Sequence, residues 1–523
     1  MTAMKQTLHR LFRGDLAPLT AALMGLVYIV AAGFRGLGDS TIDWLDASRE
    51  LAADFAESPS VVSEWNVENV ELIELFAALI YLVFPTGFEE WTLFVVSVVA
   101  GAAATGMVFA IGRRLAGTVG GWLSLIFLLT SAPWIGTFTR LDPTFLLLPV
   151  LLASLLVWYA TGWAWWLRVA VGAPLFALGT MLWPGMIAVL AVILVIELLV
   201  PLDSTDAEAP GLVAAPTFEA DRLLIPVVAA LILLANPLFW PAPVDNLGQY
   251  VLTALEQPPA ELLFRGSVYP PDRPPFYAGI AWIFEQLPLA LALGTATGIV
   301  WTLGGMKSRH RRFGVGCAAL AAGALALPVI FRDFRPLGAE VTVLFVAVGV
   351  PIAALVTCRF FTHALGRDAP SKKVRQIAIV AFLLAGVSIL VEAPRAVESP
   401  ETFRSPMTAR ITGWSAGGDM PLREKILPRK LIETSGADRN NRLYTGGWQR
   451  HIELYERMGL LDDIATTSNP DNAQVAIRPI PPISAGRFTV YPAEHIPPLE
   501  GADTTVIPDI HRPAFLIDRV PQR

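Results

Sequence analysis

Between positions 17 and 392 the sequence runs through one apolar segment after another, each close to membrane-spanning length and almost free of charge through its middle. A helix needs about 20 apolar residues to cross the hydrocarbon of a bilayer. A soluble core cannot bury so many separate runs of that length. Of 523 residues, 54% are hydrophobic and only 16% are charged, against about 25% charged in soluble domains. The fold class that follows is an α-helical polytopic integral membrane protein of the plasma or inner membrane. The net charge of -6 gives no reason to expect nucleic acid as a partner. Cys317 and Cys358 fall in or beside apolar runs, where they read as small core residues rather than a disulfide or metal motif.

The basic residues orient the spans, because lysine and arginine are retained on the cytoplasmic side. Lys5, Arg10 and Arg13 place the N-terminus in the cytoplasm, and the first run, roughly 17–34, reads as an uncleaved span. Residues 35–90 carry Arg35 and Arg49 among a dozen acids and belong outside. The run ELFAALIYLVF at 74–84 is too short to cross and is expected to lie along the interface or to re-enter. With that choice four basic clusters fall inside in succession: Arg113 and Arg114; Arg168; Lys307, Arg309, Arg311 and Arg312; Arg367, Lys372, Lys373 and Arg375. The remaining spans are expected at 91–111, 120–137, 143–161, 169–183, 185–201, 223–240, 286–304, 313–331, 337–357 and 376–392, about eleven in all. The outer loops are then 35–90, the neighbourhood of 138–142, a long one at 241–285, and 332–336. The acidic, Pro/Ala-rich stretch 202–222 reads as a cytoplasmic linker. Residues 1–392 therefore form a transmembrane domain.

The tail, 393–523, is Pro-rich and polar. It combines an amphipathic stretch, GGWQRHIELYERMGLLDDI, with strand-like pieces such as RFTVYP and TTVIPDI. It is expected to be a small α+β domain outside the membrane. Trp414, Tyr444 and Trp448 are suited to stacking on sugars, although core packing accounts for each equally simply.

Charge at a membrane's edge is where chemistry is to be sought, because within a span it costs roughly 2.5–3.5 kcal/mol. Asp142, in TRLDPTF, sits at the outer lip of a span with Arg140 two residues before it. Asp followed by Pro is also a helix-start signal, and capping and catalysis are compatible there. In the first outer loop GDSTIDWLDASRELA offers Asp39, Asp43 and Asp46, with Asp39 and Asp43 one helical turn apart. The outer arginines are Arg265, Arg273 and Arg335, with headgroup contact and phosphate binding both open to them. His9, His310 and His363 fall inside, and His451, His495 and His511 in the tail, so a histidine metal site near Asp39 requires the tail to fold over it.

The order of these features resembles the GT-C membrane glycosyltransferases, in the branch of the protein O-mannosyltransferases and the lipid A aminoarabinose transferases. The match is carried by one span followed by an outer loop that opens on an Asp and ASRELA, then LVFPTG, GRRLAG and TRLDPTFLLLPVLLA. Further on, SVYPPDRPPFYAGIAWIFEQLPLALALG (267–294) and FRPLGAEVTVLFVAVGV (334–350) continue it. The resemblance covers roughly 17–390 through short motifs.

It implies a sugar donor on a polyprenyl phosphate, and inverting attack by an acceptor hydroxyl of a protein, lipid or glycan. It also implies a first-loop acid as base. On that reading Asp39 or Asp43 is the base and Asp142 the second acid. Arg140, Arg265, Tyr269, Arg273 and Arg335 bind substrate, and no cofactor is required, with an all-carboxylate Mg²⁺ or Mn²⁺ site left open. The branch's Lys-Pro-Pro stretch is replaced here by WNVENVELIELF, which has no basic residue. Either an arginine from another loop substitutes, or the donor is held differently, or activity has been lost. A silent scaffold of this fold and a transporter are the alternatives. Transport predicts ionisable residues in mid-span, and the spans here are apolar through their middles.

Overall fold

A computed structural model describes residues 14–34, 37–57, 72–84, 88–160, 163–200, 277–304, 311–330, 339–365 and 372–398, with shorter pieces of 227–275 and of the region after 420. Helices dominate up to residue 398. In chain order they are α1 (Ala17–Ala32), α2 (Asp39–Glu57), α3 (Leu72–Val83), α4 (Glu89–Leu129), α5 (Ala132–Thr139), α6 (Leu147–Trp158), α7 (Trp165–Leu182), α8 (Met186–Leu199), α9 (Ala278–Glu285), α10 (Leu289–Leu303), α11 (Arg311–Ile330), α12 (Ala339–Leu365) and α13 (Lys372–Glu398). The tail adds α14 (Gln449–Arg457) and short strands.

Glu89–Leu129 and Val341–His363 are each long and apolar enough to cross a membrane, and α5 with the following turn and α6 make a third such segment bent by 102°. Taken as one straight rod α4 would run about 60 Å, twice the hydrocarbon thickness. It does not run straight. Ala116 and Gly117 leave helical geometry, with Gly117 at φ 72. The rings of Phe109 and Trp122 then meet at 4.9 Å, which thirteen residues of continuous helix would forbid. Residues 89–129 are thus a tight hairpin of two arms; the expected run 120–137 is interrupted at Thr130, and its last third is the separate helix α5.

Small residues let these arms and their neighbours approach. A methyl on Gly101 would press on Ile29 and Phe138 at 2.7 Å, and one on Gly25 would meet Thr105 at 2.8 Å. Such contacts, rather than hydrophobic exclusion, hold helices together in lipid. The outward faces remain apolar, with Val27, Val99, Val300, Leu384 and Leu390 all well exposed. A helix apolar on all sides suits hydrocarbon, not water.

Side-chain contacts mark the two ends of the bundle. At one end Arg113 donates to the Gly14 carbonyl at 2.8 Å and Arg114 lies 4.8 Å over the Phe313 ring. There too Arg312 donates to Glu197 at 2.7 Å and to the carbonyl of Val200 at 2.6 Å, closing the C-terminus of α8. Arg113, Arg114 and Arg312, from two of the basic clusters assigned to one side by sequence, thus share an end. The segments assigned to the other side gather at the opposite end through strand pairing. Leu37–Gly38 (β1) pairs antiparallel with Ile426–Leu427 of the tail, and Leu262–Phe264 (β2) pairs with both Ser267–Tyr269 (β3) and Met420–Pro421 (β4). Tyr250, from the long loop, donates to the Met181 carbonyl at 2.8 Å at the end of α7. Glu392 of α13 accepts from the backbone N–H of Leu289 at 3.1 Å and from Ser388 at 3.0 Å, so a buried carboxylate caps α10 there.

The short helix α3 has 12 residues, about 18 Å of rise, and cannot cross. It packs its Ala78 against Leu51 and Ala52 of α2. The expected span at 223–240 and the linker 202–222 lie largely or wholly outside the described residues. In the tail, besides Ile426–Leu427 (β5) and the antiparallel pair Ile483–Ala485 (β8) and Phe488–Val490 (β9), the strands β6 (Leu443–Tyr444), β7 (Val475–Pro479), β10 (Asp503–Asp509) and β11 (Arg512–Arg519) form a mixed sheet in the order β10-β11-β7-β6.

Candidate functional site

The site is built at the end where the first loop, the α5–α6 bend and the tail meet. The helix α2 begins at Asp39 and turns Ile42, Leu45 and Leu51 inward. Its polar face leaves Asp43 and Glu50 exposed and Asp46 half-buried. The acids expected from the ASRELA pattern therefore do line the outer face of one helix. The side chain of Asp39 lies outside the described residues.

Asp142 occupies the 102° bend between α5 and α6. The residue before it, Leu141, is fully buried with φ 54. A non-glycine residue in that region is uncommon and costs roughly 1–2 kcal/mol, and here the strain turns the chain sharply enough to bring Asp142 to the lip. Oδ1 of Asp142 accepts from the backbone N–H of Thr144 at 2.9 Å and from its hydroxyl at 2.6 Å. The expected cap is therefore present, opening the turn Pro143–Phe145. Oδ2 has no hydrogen-bond partner among the described residues, so half of the carboxylate is uncommitted. Ser97, two turns into α4 from Glu90, donates to the Phe138 carbonyl at 3.2 Å, which fixes the bend at this end. Arg140 closes α5 and folds back over Gly136, with Nε 3.4 Å from its carbonyl oxygen.

Of the other residues expected to bind substrate, Arg265, Arg273 and Arg335 lie outside the described residues, and Tyr269 is placed by its backbone alone, on β3. Trp414 and Trp448 are likewise outside them, and Tyr444 lies half-buried on β6.

Sequence reasoning missed the group at the centre of this end, Glu90. It is fully buried at the first turn of α4, and its Oε1 accepts a short charge-assisted hydrogen bond from Arg49 of α2. Arg457 of the tail helix approaches the same oxygen at 3.7 Å. Arg49 also donates to Asp46 at 3.2 Å and stacks over the Tyr81 ring at 5.2 Å. Burial, and then the nearby Glu90 carboxylate, push the Tyr81 phenol up, against the opposing pull of Arg49, so it stays neutral. For the Arg49 guanidinium burial opposes the charge, and Tyr81 and Glu90 outweigh it. One signal for Glu90 was available: the adjacent acids Glu89 and Glu90 directly abut an apolar run. Its partners 41 and 367 residues away have no local signature.

The tail helix α14 completes the arrangement. Its apolar side, Ile452, Leu454 and Tyr455, is buried, with His451 on the same inner side. Tyr455 meets Phe34 edge-on at 6.2 Å, and Phe34 meets Phe94 at 5.6 Å. The Trp91 indole donates to the Met458 carbonyl at 2.8 Å. Arg450, on the open side, lies 3.6 Å from both Asp43 and Asp46. The tail does fold over the first loop, and it brings guanidinium groups with it. Among the described residues no three His, Cys, Asp or Glu side chains converge in the manner of a metal site.

No family model and no curated protein matches the sequence. Among solved structures the chain is similar to two of ArnT from Cupriavidus metallidurans. With the form bound to undecaprenyl phosphate it shares 13% identity, at a TM-score of 0.45, over 96% of this chain and 97% of that one. With the apo form it shares 12% identity, at a TM-score of 0.46, over 99% of this chain and 98% of that one.

Proposed function

We propose that the chain is a membrane glycosyltransferase. It moves a sugar from a polyprenyl-phosphate carrier to an acceptor hydroxyl at the outer, non-cytoplasmic end, with inversion at the anomeric carbon. The observation that supports this most is Asp142: a half-buried carboxylate on a strained turn, one oxygen bonded and the other open. A general base requires a positioned carboxylate within hydrogen-bond reach of the hydroxyl it deprotonates. A carboxylate set on α2, Asp39 or Asp43, is the base, and Asp142 orients the acceptor. Cations at the same end stabilise the phosphate as it takes up negative charge on leaving. The family resemblance in the first loop, LDP and the Pro-Pro stretch supplies the donor class.

The test is transfer of radiolabelled sugar from polyprenyl-phosphate donors in membranes, comparing wild type with Asp39→Asn, Asp43→Asn and Asp142→Asn at matched expression. General-base roles contribute about 10²–10⁴-fold, so loss of at least 100-fold is expected in one first-loop variant, and Asp142→Asn should lose transfer by misplacing the acceptor. Asparagine caps as well as aspartate does, whereas alanine costs about 1 kcal/mol. Asp142→Asn should therefore be inactive yet as stable as wild type, and only Asp142→Ala should melt earlier. Full transfer by all three asparagine variants, or no transfer by wild type from any donor, would leave the scaffold and transporter readings.

A further inference from the structure

The leaving phosphate needs a cation that is free to meet it, and the guanidinium groups among the described residues at this end differ in how far they are committed. Arg49 and Arg457 share the buried Glu90, and Arg140 is folded over Gly136. Arg450 stands otherwise. Its side chain is 66% exposed, and it touches Asp43 and Asp46 at 3.6 Å each, beyond hydrogen-bond length. Asp43 is itself 72% exposed and has Arg450 as its partner among the described residues. Exposed pairs at that separation are weak and readily exchanged. A phosphate, with more charge and better geometry for a guanidinium, competes well against them.

Resting on the glycosyl-transfer reading above, we infer that Arg450 of the tail helix is a phosphate-binding residue of the site, and that it pairs loosely with the first-loop acids until a phosphate draws it away. The two roles are coupled by charge. With the site empty, Arg450 lies across Asp43 and Asp46. When the lipid phosphate arrives, Arg450 turns to it, and the Asp43 carboxylate loses its cationic partner and is left to the acceptor. The bond from the anomeric carbon to the phosphate oxygen then breaks, and its electron pair stays on the phosphate beside Arg450. The acceptor oxygen bonds to that carbon, and the acceptor's proton passes to the carboxylate. A carboxylate at Asp43 is thereby released from its ion pair as the donor binds, which couples the two events. The basic residue absent from WNVENVELIELF is supplied from the far end of the chain.

The experiment is binding of a polyprenyl monophosphate, and of the matching uncharged polyprenol, to the purified full chain in detergent. Wild type, Arg450→Gln, Arg450→Lys and Asp43→Asn are compared. Wild type should prefer the phosphate. Arg450→Gln should lose about tenfold in phosphate affinity, the scale of one charged hydrogen bond, with polyprenol binding unchanged as the check on folding. Arg450→Lys should recover part of the loss. Asp43→Asn, which removes a competitor for Arg450, should bind the phosphate more tightly. If wild type prefers the phosphate and Arg450→Gln does so equally, the Arg450 assignment falls and the carrier reading stands. A weaker phosphate complex in Asp43→Asn overturns the pairing role. Equal binding of phosphate and alcohol by wild type sinks the carrier reading and this inference together.

Discussion

Glu90 concentrates the electrostatics of the site end in one side chain. Its carboxylate is out of water and is offset by Arg49 and Arg457, whose own side chains are 21% and 34% exposed. Removing one partner of a buried pair costs about 3–5 kcal/mol because the other charge stays behind. Partial exposure of both arginines screens that penalty, so Glu90→Gln is expected to cost about 2 kcal/mol. A fall in melting temperature of the detergent-purified chain would register it, and an unchanged melting curve would count against the network. Legibility differed among these residues for physical reasons. Asp142 was readable because Asp-Pro before an apolar run is a local start signal, and the cap is there. Glu90 looked like an ordinary acid in a helix's first turn, where the macrodipole already welcomes it. Arg450 looked like surface on an amphipathic helix, since nothing local announces what a helix 400 residues away will present.

At the scale of elements, the hairpin formed by the two arms of α4 sets the register of everything packed on it. A methyl on Gly112 would lie 2.1 Å from Ser124 Oγ and 2.9 Å from the Gly120 carbonyl oxygen, whereas one on Gly117 meets nothing within 4 Å. Gly117 resists substitution only through its positive φ, at about 1 kcal/mol. Gly112→Ala must push the arms apart, at about 1–3 kcal/mol and toward the upper end, because backbone is among the atoms struck. Thermal unfolding of the two variants should rank Gly112→Ala as the more damaging, and the reverse order would refute the close hairpin. The two arms were legible as separate apolar runs because Arg113 and Arg114 divide them. The helix break at Ala116–Gly117 falls just beyond the arginines. The 102° bend was not legible, because Leu141 gives no sequence warning that it will adopt φ 54.

For the whole molecule, Arg113, Arg114 and Arg312 share one end, and the tail shares strands with both long loops. Sidedness is open to a direct check in a variant with Cys317 and Cys358 replaced by alanine. Single cysteines at Asp54 and Glu453, both exposed at the site end, should react with an impermeant maleimide from the non-cytoplasmic side of sealed vesicles. A cysteine at Lys373, exposed at the start of α13, should react only from the other side. Labelling of Asp54 and Glu453 positions from opposite sides would overturn the arrangement.

The hydrogen bond from Trp91 to the Met458 carbonyl also dictates an order of events during synthesis. The first loop leaves the ribosome early, but Glu90 has no Arg457 to meet, and Phe34 no Tyr455, until residue 458 has been made and carried to the same face. Throughout elongation that loop waits with its buried acid half-neutralised and its aromatic rings uncovered. Contacts this distant along the chain form late and slowly. A nascent chain that stops before the tail therefore leaves Glu90 without Arg457 and Phe34 without Tyr455 at its own first loop.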